Sequence, residues 1–430
     1  MPQHSDTTLP SHEGLRGDAA VVSWAITILH APVRELVDRR IELGASLRLG
    51  RGGGGATDVE IDDGKLSREH AVITRAGVVV EIRDRASRNG TFVNGARIDA
   101  CTLRPGDIVR IGDTLLELGD TPARDGSNDP LLVGTAPAFL AAVDLANQVA
   151  PSDLPVLLLG ETGTGKDVLA RHVHAESGRT GAFVAVNCAA LADELVESTL
   201  FGHRKGAFTG ATADSPGMFL EASGGTLFLD EVGELDIAHQ AKLLRALDAR
   251  EIIPIGATRP VHTDARVIAA TNCDLTVRIA DGRFREDLYA RLAGAIIRMP
   301  PLRSRRGDIL RIASLGLGER TLSGQAAERL VLHHWPRNVR ELVVAMRRVV
   351  LVLGERMEIK RADLDGVLDD VTSQVTVPAD LASLPARDEL VAHLVELRGN
   401  VSRLAARYGK DSKQIYRWLK RYQLDPNGYR

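Results

Sequence analysis

Between residues 22 and 119, apolar and polar positions alternate in short runs broken by Gly, Asn and Asp, as in Val78-Val79-Val80-Glu81-Ile82 and Asp107-Ile108-Val109-Arg110-Ile111. A period of two over runs this short predicts half-buried strands, and their close succession predicts an all-β sandwich. The pattern then changes. Val156-Leu157-Leu158-Leu159, Leu227-Phe228-Leu229 and Val267-Ile268-Ala269-Ala270 are continuous apolar runs, and helical patterns such as residues 168–173 follow them. Buried strands alternating with helices predict a doubly wound parallel α/β sheet. A third pattern closes the chain. Leu390, Val391, Leu394 and Val395, then Val401, Leu404, Ala405 and Tyr408, then Ile415, Trp418, Leu419 and Tyr422 fall at helical spacing. Residues 120–129 and 371–378 are polar or breaker-rich and read as linkers.

Composition narrows the class. A chain of 430 residues has room for two or three domains, each with its own core. A net charge of −3 means that the whole molecule is not a polyanion binder, although one part of it can be. Cys101, Cys188 and Cys273 lie far apart with no CxxC spacing, which suits a reducing compartment and argues against structural zinc. His172 and His174 sit two apart, so they do not share a helix face and suggest no metal. Residues 1–18 are polar and mixed in charge, unlike a signal peptide, and residues 21–33 are too short a stretch to span a bilayer. The expectation is a soluble cytoplasmic protein with no membrane partner.

The chemistry centres on Gly160-Glu161-Thr162-Gly163-Thr164-Gly165-Lys166-Asp167, which stands between an apolar run and a helical pattern. Glycines let successive backbone N–H groups turn inward, the helix N-terminus adds partial positive charge, and Lys166 supplies a full one for the β- and γ-phosphates. Asp167 occupies the position where a general phosphate loop has Ser or Thr, so a hydroxyl that would ligate Mg²⁺ is missing. Downstream, the apolar run ending at Leu229 is followed by Asp230 and Glu231. In a nucleotide hydrolase the first acid holds Mg²⁺ and the second polarises the attacking water. Asn272, closing the run from Val267, suits a sensor of the γ-phosphate.

The segment Glu197-Ser198-Thr199-Leu200-Phe201-Gly202-His203-Arg204-Lys205-Gly206-Ala207-Phe208-Thr209-Gly210-Ala211 makes the resemblance specific. With it, the chain resembles the AAA+ domain of bacterial enhancer-binding proteins, the activators of sigma-54 RNA polymerase, from residue 131 to about 370. The resemblance implies an α/β ATPase core over 130–298 and a helical lid over 299–370, with ATP and Mg²⁺ as cofactors. It assigns the sigma-54 contact to Gly206, Ala207, Phe208, Thr209, Gly210 and Ala211. An acid after the lysine is usual in that family, so Asp167 fits it. By the same resemblance Asn187 restrains Glu231, Arg285 and Arg291 are arginine fingers acting on a neighbouring subunit, and Arg340 is a second sensor. Fingers acting in trans imply a homo-oligomeric ring, in that family usually a hexamer. Arg337 stands where the family usually has Gly, and residues 252–257 depart from its usual turn.

Two flanking modules complete the reading. Gly50-Arg51, Ser67-Arg68-Glu69-His70 and Ser87-Arg88-Asn89-Gly90-Thr91 keep the order and spacing of a forkhead-associated (FHA) domain, which the first region resembles over almost its whole length. That resemblance puts Arg51 and Ser67 on the phosphate of a phosphothreonine partner, Arg68 alongside, Asn89 on the peptide backbone and His70 as an internal brace. A guanidinium and a hydroxyl suit a doubly charged phosphate. At the other end, Arg403, Arg407, Lys410, Lys413, Arg417, Lys420 and Arg421 make an otherwise acidic chain locally basic. With the helical patterns around a short turn, this predicts a helix-turn-helix. Gly399-Asn400-Val401 and Tyr416-Arg417-Trp418-Leu419 resemble the Fis-type module that ends these activators. Lys413, Gln414 and Arg417 are the side chains expected to reach enhancer DNA, and Lys410 departs from an apolar preference in the turn. The expected organisation is therefore an all-β FHA sandwich (22–119), the AAA+ α/β domain with its lid, and an all-α unit (384–430). The expected activity is ATP-driven remodelling of the sigma-54 holoenzyme under control of a Ser/Thr kinase pathway. The alternative is an AAA+ unfoldase that recruits phosphorylated clients through its FHA domain.

Overall fold

A computed structural model describes residues 24–52, 57–119, 131–374, 387–397 and 400–408, together with positions 415, 419, 424 and 426. The first module is the expected sandwich. Its strands are β1 (Ala25–His30), β2 (Arg40–Glu42), β3 (Ser46–Gly50), β4 (Val59–Glu60), β5 (Ala71–Ala76), β6 (Val79–Asp84), β7 (Thr91–Val93), β8 (Ala96–Ile98), β9 (Ala100–Leu103), β10 (Ile108–Ile111) and β11 (Thr114–Gly119). One sheet has the order β2-β1-β11-β10-β7-β8 and the other β4-β3-β5-β6-β9. Ile26, Ile28, Leu49, Ile73, Ile82, Val109 and Leu116 interdigitate between the sheets as one core. β3, β5 and β6 bury about every second side chain, as a period of two requires.

The second module is built on five parallel strands in the order β13-β14-β17-β12-β18. The elements run α1 (Pro137–Val149), β12 (Val156–Leu159), α2 (Lys166–Ala175), β13 (Phe183–Asn187), α3 (Asp193–Phe201), α4 (Met218–Glu221), β14 (Thr226–Asp230), α5 (Ile237–Ala249), β15 (Glu251–Ile252), β16 (Val261–His262), β17 (Arg266–Thr271), α6 (Leu275–Ala280), α7 (Glu286–Leu292) and β18 (Ala295–Arg298). β17 is buried at every position because helices cover both faces of a parallel sheet. One core lies on the α1/α2 side, including Phe139, Leu169 and Ile268. The other lies on the α3/α5/α7 side, including Leu200, Leu243 and Leu288. His172 bonds Asn147 at 2.7 Å and His174 bonds Thr226 at 2.9 Å, so both rings serve the packing of this domain.

The lid follows as α8 (Arg306–Leu317), β19 (Thr321–Leu322), α9 (Gly324–Leu332), α10 (Asn338–Leu353), β20 (Glu358–Ile359) and α11 (Arg361–Gln374). α11 runs to Gln374, so the expected linker from Val371 begins as helix. No local breaker stops it: Val371-Thr372-Ser373-Gln374 contains neither Gly nor Pro. The chain divides into compact units at 364/365, within α11. In the C-terminal unit α12 (Arg387–Glu396) and α13 (Val401–Tyr408) fall where the periodicity put them. Leu390, Leu394, Leu404, Ile415, Leu419 and Leu424 form its core. Lys410, Lys413, Gln414 and Arg417 lie outside the described residues. Among the described residues no helix is long and apolar enough to cross a membrane.

Candidate functional site

The phosphate loop leaves β12 and enters α2 through Gly163 and Gly165, whose φ angles of 79° and 97° belong to the left-handed region. Gly163 also has no room for a side chain, since a Cβ there would overlap the Arg337 carbonyl of the lid. Lys166 is the first residue of α2 and is 6% exposed. Its Nζ donates to the carbonyls of Gly160 at 2.7 Å and Glu161 at 3.3 Å. Burial pushes its pKa down from the lysine value, against the pull of Glu231 and Asp230, with Arg340 adding a like charge nearby. A buried cation on the first residue of a helix that follows a Gly-rich loop is chemistry that fits a polyphosphate. Asp167 is exposed on the first turn of α2.

The parallel register brings the acids to this loop. β14 pairs β13 so that Asp230 lies opposite Asn187. Glu231, at φ 53°, takes a left-handed turn off the strand end, and its N–H donates to Asp230 Oδ1 at 3.1 Å. Asn272, just past β17, ties the parts together. Its N–H donates to Glu231 Oε2 at 3.0 Å and its Nδ2 donates to Thr162 Oγ1 at 2.8 Å. Asn187 does not touch Glu231 in this arrangement; its Oδ1 accepts from the Ala189 N–H at 2.9 Å. One carboxylate beside a phosphate cradle is what Mg²⁺ needs when phosphate oxygens and water supply its other ligands.

The lid closes on the loop at several points. Arg303 grips both carboxylate oxygens of Glu161, at 2.7 and 2.5 Å, and that bond holds Glu161 below the usual carboxylate range. Asn338 is fully buried with φ 54°. Its Nδ2 donates to Glu161 Oε2 at 3.2 Å and Thr162 O at 3.0 Å, and its Oδ1 accepts the Leu302 N–H at 2.7 Å. The Val339 N–H donates to Gly163 O at 2.9 Å. Arg337, where a glycine was the usual expectation, sits at φ −106° without strain, and its neighbour Asn338 takes the left-handed turn instead. The roles of Asn338 and of the Glu161–Arg303 pair were not read from the sequence. The available signal was Asn beside a Pro-containing turn, since Asn tolerates the left-handed region best among non-glycine residues.

Arg285 and Arg291 take their partners outside this assembly. Arg285 pairs with Asp287 at 2.7 Å, and Arg291 with Asp248 at 3.1 Å and the Leu247 carbonyl at 3.2 Å. Residues 206–211 form a tight loop closed by Gly206 N–H to Ala211 O at 2.8 Å. Phe208, 40% exposed, rests edge-on against the His203 ring with centroids 5.0 Å apart. Backbone bonds from Arg204 to Ile255 and from Ile255 to Gly202 fasten the loop's base to residues 252–257. A Cβ on Gly256 would meet Ala207 at 3.0 Å, so the departure from the family's turn retains a glycine where the two loops touch. His203 lay in the quoted segment but had no role assigned to it.

In the sandwich, the loops after β3, β5's approach and β6 meet at one end. Gly50 has no room for a Cβ against the Arg68 carbonyl, and this closeness lets Arg51 N–H donate to Ser67 O at 3.0 Å. Ser67 Oγ accepts the Arg88 N–H at 3.1 Å, and Asn89 Nδ2 donates to Lys65 O at 2.6 Å. His70 is fully buried. Its Nδ1 accepts the Ser67 N–H at 3.2 Å, which leaves Nε2–H to donate to Gly90 O at 3.3 Å. Burial holds its pKa below the histidine value, as a neutral brace requires. Arg51, Arg68 and Asn89 are exposed around Ser67.

Comparison with known proteins finds matches for both modules. The Sigma-54 interaction domain family matches residues 132–298, and the FHA domain family matches residues 47–112. Transcriptional regulatory protein ZraR of Klebsiella oxytoca is 41% identical over 309 residues, 67% of this chain and 68% of its own length. Transcriptional regulatory protein FlbD of Caulobacter vibrioides is 42% identical over 300 residues, 65% of each chain. The sigma54-dependent transcriptional activator SfnR of Pseudomonas putida is 50% identical over 218 residues, 48% of this chain and 60% of its own. Among solved structures, NtrX of Brucella abortus in complex with ADP is 31% identical with a TM-score of 0.52, covering 68% of this chain and 69% of its own. The chain spans from about half to two thirds of the length of the curated relatives it matches.

Proposed function

The chain belongs to the sigma-54-dependent transcriptional regulators, and from that premise we propose that it is an ATP-hydrolysing activator with a phosphothreonine input and an enhancer-DNA anchor. The observation that carries the reading is the single bonded assembly of phosphate loop, strand-end acids and Asn272, joined through the same domain to a loop that holds Phe208 half exposed. Lys166 and the loop amides would hold the β- and γ-phosphates of ATP. Asp230 would hold Mg²⁺, which neutralises charge on the transferred phosphoryl group. Glu231 would orient water, and Asn272 ties its carboxylate to Thr162, so occupancy of the loop and position of the base are read together. Arg340 would sense the γ-phosphate from the lid, while Arg285 and Arg291 would serve a neighbour in a ring, in this family usually a hexamer. Asn187 stands one strand away, opposite Asp230, where a change in its hydrogen bond would let it restrain Glu231.

Residues 206–211 would engage the sigma-54 holoenzyme. Swinging Phe208 off His203 would expose it without disturbing the nucleotide. Arg51, Ser67, Arg68 and Asn89 would receive a phosphothreonine protein from a Ser/Thr kinase pathway, and Lys413, Gln414 and Arg417 would contact DNA. The test is single-round transcription with the sigma-54 holoenzyme, run beside an ATPase assay. Phe208→Ala is expected to keep ATP hydrolysis near the wild-type rate and abolish open-complex formation. Glu231→Gln is expected to lower hydrolysis by about 10² to 10⁴, the scale of a lost general base, while ADP still binds. Activation that survives Phe208→Ala would reject the polymerase contact.

A further inference from the structure

The outer face of the six-stranded sheet is buried along β10 and β11. Along β10 and β11, Val109, Ile111, Leu116 and Leu118 join the sandwich core. Successive side chains alternate, so Ile108, Arg110, Leu115 and Glu117 share the opposite face, with Ile108 paired to Glu117 and Arg110 to Leu115. One face of such a sheet ordinarily meets water. Here Ile108 and Leu115 are fully buried and Arg110 is 7% exposed.

The cover is the lid. Arg110 Nε donates to Glu328 Oε2 of α9 at 2.8 Å, in an ion pair whose side chains are 9% and 6% exposed. Arg311 of α8 pairs with Asp38 at 2.7 Å. Glu117 reaches the first turn of α8, where a Cβ on Gly307 would lie 2.9 Å from its carboxylate. Gly324, the first residue of α9, donates its N–H to Asp113 Oδ1 at 3.0 Å, and a Cβ at this glycine would overlap the Asp113 backbone. Its φ is not in the left-handed region, so the helix itself does not need glycine there.

The same contact reaches the phosphate end of the sandwich. Lys65 Nζ sits 2.7 Å from Asp113 Oδ2. Lys65 lies two residues before Ser67, and Asn89 holds its carbonyl. The Asp113 N–H donates to Asp63, which is 1% exposed, so Lys65 neutralises a carboxylate that has a second one beside it, with the partly buried His30 close to both.

We propose that this sheet face is a docking surface for the lid of the same chain, that docking restrains the lid, and that phosphate bound at Ser67 releases it by drawing Lys65 from Asp113. A dianion competes for the ammonium group and leaves Asp113 beside Asp63 without its cation at the contact with the lid. Restraint follows from the lid's bonds to the phosphate loop at Thr162 and Gly163, which tie lid position to the nucleotide site. The release step rests on the phosphothreonine reading above, whereas docking itself does not.

The experiment is hydrogen exchange on the full-length chain, with ATP hydrolysis measured in parallel. Gly324→Ala preserves the lid helix, since Ala is the better helix former, yet clashes with the docked sandwich. It is expected to speed exchange in residues 108–117 of the sandwich on the order of tenfold or more and to raise basal hydrolysis. Glu328→Gln, also in the lid, should speed exchange in the same sandwich strands. Unchanged exchange in both variants would overturn docking, and faster exchange without faster hydrolysis would overturn restraint. Lys65→Met should loosen residues 324–328 with no ligand present, and a phosphothreonine-centred degenerate peptide pool should do the same to wild type but not to Arg51→Ala. If Lys65→Met has no effect the relay is wrong. If Lys65→Met acts and the peptide pool does not, the phosphothreonine reading fails while docking stands. A wild type without ATP hydrolysis would sink the motor reading and leave exchange to judge the contact.

Discussion

At the scale of single residues, Asn338 and Glu117 carry consequences that neighbouring positions do not. Asn338 accepts a left-handed backbone that costs most residues roughly 1–2 kcal/mol and repays it in three hydrogen bonds between lid and phosphate loop. Asn338→Asp removes both donated bonds and sets a carboxylate against Glu161. The expected loss is about 1.5–3 kcal/mol, the scale of hydrogen bonds to a charged group, or roughly ten- to a hundredfold in ADP affinity by titration calorimetry. Glu161→Gln added to that variant should recover part of it, because the amide can donate to Asp. No recovery would mean that Asn338 only shapes the turn. Glu117 faces Asp308 and Arg306 of α8 and is flanked in its sheet by Thr27 and Ile108. Burial, helped by Asp308 and opposed by Arg306, pushes its pKa from 4.5 up to about 7. A carboxyl whose pKa is raised by docking favours the docked form in acid. That support is fully present below 4.5 and is lost as pH rises to about 7. At about 1.4 kcal/mol per pH unit, the change is at most about 3.5 kcal/mol. Exchange in residues 108–117 should therefore quicken between pH 5 and pH 8 more than base catalysis explains, and Glu117→Gln should remove the excess.

At the scale of elements, what could be read from the sequence depended on how local its cause was. The phosphate loop, the strand-end acids and the helices at 387–396 and 401–408 follow from spacing along a few residues, and each stands where spacing put it. The strand at Ile108–Ile111 was equally legible, but the burial of its outer face was not, because α9 begins more than two hundred residues later. Arg110 was the visible clue: a single charge in an apolar strand whose partner could not be named. The rest of Phe208 on His203 was hidden for the same reason, since residues 252–257 fix the loop's base. The sandwich end that gathers Arg51, Ser67 and Asn89 was legible through order and spacing, and it yields an element-level test. Arg51→Ala leaves the backbone bond to Ser67 intact and removes only the exposed guanidinium. In the full-length chain it should weaken capture of a phosphothreonine peptide pool by roughly ten- to a hundredfold without shifting thermal stability, read by fluorescence anisotropy beside a melting curve. Equal affinity for phosphorylated and unphosphorylated pools would make this end a scaffold.

At the scale of the whole molecule, a single chain holds its two candidate fingers out of its own site. Arg285 is bound to Asp287, which stabilises the ion pair in both directions, and Arg291 is bound to Asp248. Such exposed pairs are screened by water and contribute little, so a neighbour offering phosphate charge can exchange partners with them at small cost. The arginines are thus available to a second copy while Lys166, Glu231 and Asn272 are already assembled in the first. Activity should then rise more steeply than linearly with protein concentration, and a removed finger should cost about 10³ to 10⁵ in rate. Mixing separates this from a chain that works alone. Glu231→Gln subunits retain fingers but lack a base, whereas Arg285→Ala subunits retain the base but lack a finger. Each alone should be nearly inactive, and together they should regain part of the wild-type rate, because some interfaces join an intact base to an intact finger. Rates that stay at the sum of the two variants, with wild-type activity strictly proportional to concentration and a monomer on size exclusion in the presence of ATP, would show that Arg285 acts within its own chain or not at all.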